Sequence, residues 1–244
     1  MKVTKWLVIS VFLVISASVF ATEQATGLAT EATINTLEDT QEAKQNVSQE
    51  ISQDAKNLSA ILSNTLTYQA DFEQSVYREN SDQADVTIGQ FLIQRPNHFK
   101  WQTKEPFEQS IIADGSNLWT YDPELEQVTI QNQQSVLADS PLLLLTSSVE
   151  SLVEAFEVEQ VKSMQEENQL LFALSPRQNS LFESVHILIE DKKIKEFFLL
   201  DSLGGRTGVQ FRNIQLNQRM DVREFIFVAP EDIDIIDSRE RLSN

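Results

Sequence analysis

The sequence predicts a mainly β fold, in which a bent antiparallel sheet of about ten or eleven strands is accompanied by a few helices. Apolar and polar residues alternate from about residue 68 to residue 228, which is the pattern of strands with one buried face. Turn pairs such as Asp114-Gly115 separate the runs. No alternation of strand and helix recurs, which argues against a parallel sheet. A strongly bent sheet or open barrel, with helices across its concave side, fits these patterns.

Two N-terminal segments are predicted to precede the folded part. Two lysines stand before an apolar run from Trp6 to Val19, and small residues then offer a cleavage site after Ala21. Residues 1–21 are therefore predicted to be a cleavable secretory signal peptide, too short for a stable membrane span. Residues 22–48 are acidic, poor in large apolar groups and predicted to be a disordered spacer.

Composition restricts the classes of function. The 244 residues carry a formal net charge of −18 and no cysteine. Such a charge argues against binding to nucleic acid and against stable association with anionic bilayers, because both need basic patches. It favours basic protein partners instead. Without cysteine, disulfides, thiol chemistry and acylation of the chain itself are excluded.

An amphipathic helix is predicted before the sheet. Its apolar residues, at three- to five-residue steps, are Val47, Ile51, Ala55, Leu58, Ile61 and Leu66. The strands that follow are predicted at 68–76, 86–94, around Phe99 and Trp101, 108–113, 118–121, 126–131, 169–174, 184–190, 195–201, 208–216 and 224–228. Phe99 and Trp101 are expected on one face of their strand.

A helical insertion is predicted to interrupt the strands. Asp139-Ser140-Pro141 has the residues of a helix start, and leucines surround the short helix that follows. Ser147 and Glu150 match a capping box for a second helix. The apolar stripe of that helix is Val149, Leu152, Val153 and Phe156.

No residue arrangement identifies an enzyme. His98 and His186 have no partner at metal-ligand spacing, and neither a nucleophile elbow nor a phosphate loop is present. Asp114, Asp122 and Glu126 lie near aromatic residues, as in a carboxylate-based glycan hydrolase. However, aspartate before Gly or Pro is selected by turn chemistry alone, which is the stronger interpretation. We therefore expect no catalysis, no metal and no cofactor.

Arg95 has an unusual setting, because it ends an apolar strand and precedes Pro96. Its guanidinium has five donors, and the last carbonyls of a helix lack partners, so this side chain could latch a helix to the sheet. A solvated arginine at a strand end is the alternative, and the sequence leaves both open. Leu142–Leu145 likewise fits either a core helix or a lid.

Three blocks of sequence resemble one known family. RPNHFKW from Arg95, DGSNLWTYDPELEQVT from Asp114 and SPLLLL from Ser140 are similar, in order and spacing, to the LolA family of periplasmic outer-membrane lipoprotein carriers. The resemblance covers about residue 49 to residue 228. It implies an unclosed β-barrel at 49–229 with a helical lid over a hydrophobic cavity. The residues that follow, 230–244, are predicted from their composition to be an acidic tail.

The resemblance also implies a function and its residues. The family is a chaperone that takes acylated lipoproteins from an inner-membrane ABC-type release complex to an outer-membrane receptor lipoprotein. Arg95 matches the arginine that hydrogen-bonds the lid, Phe99 the aromatic at the release-complex contact, and Trp101 a position in the cavity wall. The other expected lipid- or lid-binding residues are Phe72, Trp119, Leu142, Leu143, Leu144 and Leu145, of which the four leucines match the lid.

Two features depart from the family pattern, namely the long acidic spacer and His98, where the family has an apolar residue. We expect a monomer. A regulator that senses lipoprotein or lipid on the same fold remains the first alternative, and the glycan hydrolase the second.

Overall fold

The computed structural model of the chain describes residues 51–138, 149–161, 168–178 and 180–239. The predicted signal peptide, the acidic spacer and the four leucines Leu142–Leu145 lie outside the described residues. Within the described part, no helix is both long and apolar enough to cross a bilayer.

The described residues form a single sheet of twelve strands, through which the chain meanders. The strands are β1 (Thr67–Tyr77), β2 (Ala84–Gln94), β3 (His98–Glu105), β4 (Gln109–Asp114), β5 (Asn117–Asp122), β6 (Gln127–Asn132), β7 (Phe156–Val161), β8 (Gln169–Pro176), β9 (Phe182–Glu190), β10 (Lys193–Asp201), β11 (Arg206–Leu216) and β12 (Asp234–Asp237). Their spatial order is β12-β6-β5-β4-β3-β2-β1-β11-β10-β9-β8-β7. The two edge strands do not pair, so the sheet is unclosed. Neighbours are antiparallel, except that β12 runs parallel to β6. The predicted open antiparallel sheet is confirmed.

The two faces of the sheet are covered by different parts of the chain. On the central strand β1, buried side chains alternate with half-buried ones from Tyr68 to Gln74. Of this buried set, Tyr68, Ala70 and Phe72 belong to the main apolar core, which also contains residues of the helices. We call this helix-covered side the inner face, and the opposite side the outer face.

Three α-helices accompany the sheet in the described residues: α1 (Gln53–Ser63), α2 (Gln133–Ala138) and α3 (Val149–Ala155). The Ser52 hydroxyl begins α1 by accepting from the Ala55 amide at 3.1 Å. The apolar stripe of α1 is buried in the core together with residues of α3 and β7. Asp54 Oδ2 accepts from the Gln160 amide at 3.0 Å, so α1 also covers part of the backbone of edge strand β7.

The prediction of a last strand at 224–228 is wrong. A 3-10 helix at Val222–Phe225 begins there instead, and Asp221 caps it by accepting from the Arg223 amide at 2.9 Å. Phe225 is fully buried against Leu92 and Ile112 of the outer face. The segment therefore covers the sheet and does not extend it.

Edge strands β7 and β12 are absent from the predicted set. Phe156 fits the apolar stripe of the predicted helix before it and also the alternating pattern of a strand after it. In the structure α3 ends at Ala155, and Phe156 begins β7. All four residues of β12 are exposed, so no burial pattern marks this strand in the sequence. Leu66 is 62% exposed because α1 ends at Ser63, before the predicted stripe is complete.

Candidate functional site

Aromatic side chains fill the centre of the inner face. The rings in contact with one another are those of Tyr68, Phe72, Phe91, Trp101, Phe197 and Phe211. Phe72 and Trp101 stack with centroids 3.9 Å apart at 29°. The Tyr68 hydroxyl donates to the Ile194 carbonyl at 2.9 Å, and burial raises the pKa of this phenol. The surface that faces the helices is thus continuous, apolar and supplied by several strands.

Gly89 makes the stack of Phe72 and Trp101 possible. The strand that carries Gly89 lies between the strands of the two aromatic residues, and Gly89 pairs with Phe72 across the sheet. A Cβ atom at this position would lie 2.7 Å from the Phe72 ring and 2.0 Å from the Gln102 carbonyl oxygen. The missing side chain therefore leaves room for the two rings to meet above the backbone.

Among the residues that the structure describes, the space found beneath α1 is small. A void of about 10 Å³ lies between Leu62 of the helix, Tyr68 and Arg95 at one end of the inner face. A void of that size holds roughly one water molecule. In this conformation the aromatic side chains fill the inner face themselves, and an acyl chain would have to displace them.

Arg95 lies beside this void and binds the linker between α1 and β1. Its Nε donates to the Thr65 carbonyl at 3.1 Å, and its backbone amide donates to the Leu66 carbonyl at 2.9 Å. Burial lowers the pKa of the Arg95 guanidinium from its ordinary value.

Asn217 binds the same linker from the other side. Its Oδ1 accepts from the Leu66 amide at 2.7 Å, and its Nδ2 donates to the Asn64 carbonyl at 2.9 Å. Its backbone has a φ of 54°, in the left-handed region that asparagine tolerates better than most residues. Asn217 could not be identified from the sequence, because no local pattern connects it to a segment 151 residues away. Gly89 was not identified either, although a glycine inside an apolar strand is a signal of close approach.

The structure brings three of the predicted lipid-binding residues together. Phe72, Phe99 and Trp101 are all buried on the inner face, with exposures of 3%, 1% and 4%. Trp119, which is also expected to bind lipid, does not share this face. Its neighbour Leu118 points into the main core, so Trp119 lies on the outer face and stacks on Phe227 at 5.5 Å.

The two aspartates of the hydrolase alternative do not form a catalytic pair. Asp114 ends β4, at the turn into β5, and Asp122 ends β5. Strand geometry therefore puts them roughly 17 Å apart, whereas glycosidase carboxylates are about 5–9.5 Å apart. Each caps its own turn. Asp122 Oδ1 accepts from the Glu124 and Leu125 amides at 3.0 and 3.1 Å.

Asp114 belongs to a hydrogen-bonded turn. Burial acts to raise its pKa, but donors from Asn117, Trp119 and Ser116 outweigh burial, and the pKa lies below its ordinary value. Trp119 Nε1 donates to Asp114 Oδ2 at 2.8 Å. Within the described residues, no group of three or more His, Cys, Asp and Glu side chains is placed to hold a metal ion.

Comparison with known proteins gives a consistent result. Residues 63–228 match the model of the family described as outer membrane lipoprotein carrier protein LolA. The chain is 32% identical over 183 residues to the outer-membrane lipoprotein carrier protein of Chromohalobacter salexigens, covering 75% of this chain and 86% of that protein. It is 35% identical over 180 residues to the protein of the same name from Hahella chejuensis, covering 73% of this chain and 86% of that protein.

Solved structures were also compared. A LolA superfamily protein from Nitrosomonas europaea aligns with a TM-score of 0.44 at 10% identity, over 72% of this chain and 99% of that chain. An uncharacterized conserved protein from Thermus thermophilus aligns with a TM-score of 0.48 at 12% identity, over 76% of this chain and 98% of that chain.

Proposed function

The chain belongs to the LolA family of outer-membrane lipoprotein carrier proteins, and we propose that it binds the acyl anchors of lipoproteins and carries them through the periplasm. The observation that carries this proposal is the inner face. Its aromatic centre is continuous and apolar, and it is covered by α1, a helix tied to the sheet through a short linker. A face covered in this way can be uncovered for a ligand without unfolding the sheet.

The energetics of the cargo require a carrier. Burying one CH₂ group contributes about 0.8 kcal/mol, so an anchor with three chains of about fifteen such groups would lose on the order of 35 kcal/mol in water. Release into solvent is therefore too slow to be useful, and transfer must pass directly between apolar sites. We propose that the donor is an inner-membrane ABC-type release complex and that the acceptor is an outer-membrane receptor lipoprotein.

Loading requires a change of conformation. Because the void under α1 is only about 10 Å³, an acyl chain must move both the helix and the aromatic side chains. The linker between α1 and β1 is the hinge in this proposal, and Arg95 is its latch. Phe99, which the family resemblance assigns to the release-complex contact, is 1% exposed, so that contact would form after α1 moves away.

The proposal is tested with protein isolated from the periplasm. Mass spectrometry should detect bound lipoprotein or acyl chains, and depletion of the protein should leave lipoproteins at the inner membrane. Bound lipid together with normal lipoprotein sorting would instead favour the sensing regulator. Reproducible absence of bound lipid would overturn both.

Two tryptophans provide a matched pair for the same assay. Trp101→Ala alters the inner face, whereas Trp119→Ala removes the same side chain from the outer face. We expect at least a fivefold loss of retained lipid for the first variant only, with circular dichroism to check that both variants fold. Equal losses in two folded variants would contradict the assignment of the inner face.

A further inference from the structure

One buried polar side chain on the inner face lacks a partner for its amide group. Gln74 of β1 is fully buried and lies one pleat beyond Phe72. Its Oε1 accepts from the Thr87 hydroxyl at 3.3 Å. In the part of the chain that the structure describes, its Nε2 has no hydrogen-bond partner. The two N–H donors of this amide are therefore hidden from water and unused.

Gln74 belongs to a row of buried polar residues. Thr87, Thr103 and Thr207 are only 8%, 4% and 2% exposed. Thr87 pairs directly with Gln74, Thr207 pairs with Val76, and Thr103 pairs with Gly89. The four polar side chains, which we call the polar belt, lie on adjacent strands β11, β1, β2 and β3. They lie among the apolar residues of the inner face.

An unused buried donor is costly, which points to a ligand. Leaving such a group unsatisfied destabilises the fold, while an apolar residue of the same shape would avoid that cost. The cost is recovered if the ligand supplies an acceptor when it displaces the packed side chains. An acyl ester supplies such an acceptor, its carbonyl oxygen, and has no N–H or O–H group that would itself need a partner. The ester is also attached to the hydrocarbon chain that the rest of the inner face would bind.

We propose that Gln74 binds the carbonyl oxygen of the ester that joins an acyl chain to the glyceryl group of a lipoprotein anchor. This inference rests on the proposed carrier function and adds to it a polar contact that fixes where along the inner face the ester lies. The Gln74 amide donates to that oxygen, while the Thr87 hydroxyl keeps the amide oriented. The rest of the inner face contacts the hydrocarbon.

The test compares ligands that differ only in the carbonyl. The first probe is a peptide with an S-diacylglyceryl cysteine, and the second is its dialkyl-ether analogue, which keeps the chains and lacks the ester oxygens. We expect the wild-type protein to bind the ester probe about fivefold to tenfold more tightly. Gln74→Leu should bind the ester probe only as tightly as it binds the ether probe. Its affinity for the ether probe should equal that of the wild-type protein.

The controls separate this contact from general damage. Gln69→Leu makes the same substitution on the same strand but on the outer side, and it should leave both affinities unchanged. Gln74→Met provides a second variant of similar shape if Gln74→Leu does not fold. A diacyl phosphatidylglycerol, which has the esters without the peptide, should also lose affinity on Gln74→Leu, whereas loss with the lipopeptide alone would overturn recognition of the ester.

The outcomes distinguish this inference from the carrier function. Equal binding of the ester and ether probes by the wild-type protein would overturn the role of Gln74 and leave the carrier intact. Binding of neither probe would overturn the carrier function itself.

Discussion

Arg95 and Asn217 bind neighbouring peptide groups of the linker between α1 and β1 from two different strands. Arg95 follows β2 and donates to the Thr65 carbonyl, while Asn217 follows β11 and accepts from the Leu66 amide. Because β1 lies between β2 and β11, the linker is held on both sides. The helix over the inner face can move as a unit only if water replaces these hydrogen bonds.

The first prediction concerns the Arg95 side of the linker. Arg95→Leu should still accept cargo but should deliver it at least tenfold more slowly. An apolar side chain beside the void favours the opened inner face, and it cannot re-form the hydrogen bond to Thr65 that drives closure. Transfer of a labelled lipoprotein from loaded carrier to the receptor measures the rate. Delivery at the wild-type rate would remove the role of Arg95 as a latch.

Arg177 offers a matched control for that variant. Its Nε donates to the Val153 and Phe156 carbonyls at 2.8 and 3.1 Å, so it also binds the backbone at a helix end. Arg177→Leu should lower stability slightly and leave delivery unchanged. If both variants deliver equally slowly, the defect comes from the loss of any such arginine and is not specific to the linker.

The second prediction concerns the Asn217 side. Asn217→Gly keeps a residue that tolerates the positive φ but removes the side-chain hydrogen bonds to the linker. Each of the two bonds contributes about 1 kcal/mol, so α1 should open more often, and amide hydrogen exchange across α1 should accelerate about thirtyfold. Asn213→Gly is the control, because Asn213 has the same φ of 54° but donates to Asp71. Equal acceleration in both variants would contradict the hinge.

The sequence predicted the buried face of a strand wherever apolar and polar residues alternate along that strand. Alternation placed Phe99 and Trp101 on one face of their strand, and both are buried on the inner face, because a side chain two residues along a strand returns to the same side. Alternation gave no sign that Trp119 lies on the outer face, because the segment that includes Phe225 covers that face and makes both sides of β5 apolar. Asn217 could not be found at all, since its contact depends on strand order and on no neighbouring residue.

The third prediction tests the stack of Phe72 on Trp101. Gly89→Ala should lower the free energy of unfolding by about 3 kcal/mol, because its Cβ would lie 2.0 Å from the Gln102 carbonyl oxygen and would push the Phe72 ring aside. Urea unfolding measures the change. Gly208→Ala is the control, since the nearest side-chain atom there is 4.0 Å away, and its stability should stay within about 0.5 kcal/mol of wild type. A similar small effect at Gly89 would show that the stack tolerates a side chain beneath it.

The fourth prediction concerns the Asp114 turn and its dependence on pH. Burial acts to raise the pKa of Asp114, but hydrogen bonds from Asn117, Trp119 and Ser116 prevail and hold it below the ordinary value. A carboxylate with a lowered pKa in the folded state stabilises the fold above its ordinary pKa, and this contribution is lost as the pH falls through the folded value. The wild-type protein should therefore be more stable than Asp114→Asn at pH 7, and the difference should shrink as the pH approaches about 3.

Trp119→Phe tests the same turn by removing a single donor. The Phe ring can still stack on Phe227, but the hydrogen bond from Nε1 to Asp114 at 2.8 Å is lost. Because that bond favours the charged carboxylate, the pKa of Asp114 should rise toward its ordinary value, and acid unfolding should begin at a higher pH than in the wild-type protein. NMR titration of the Asp114 carboxyl carbon measures the pKa directly. An unchanged titration would show that the backbone donors of the turn hold the carboxylate without the indole.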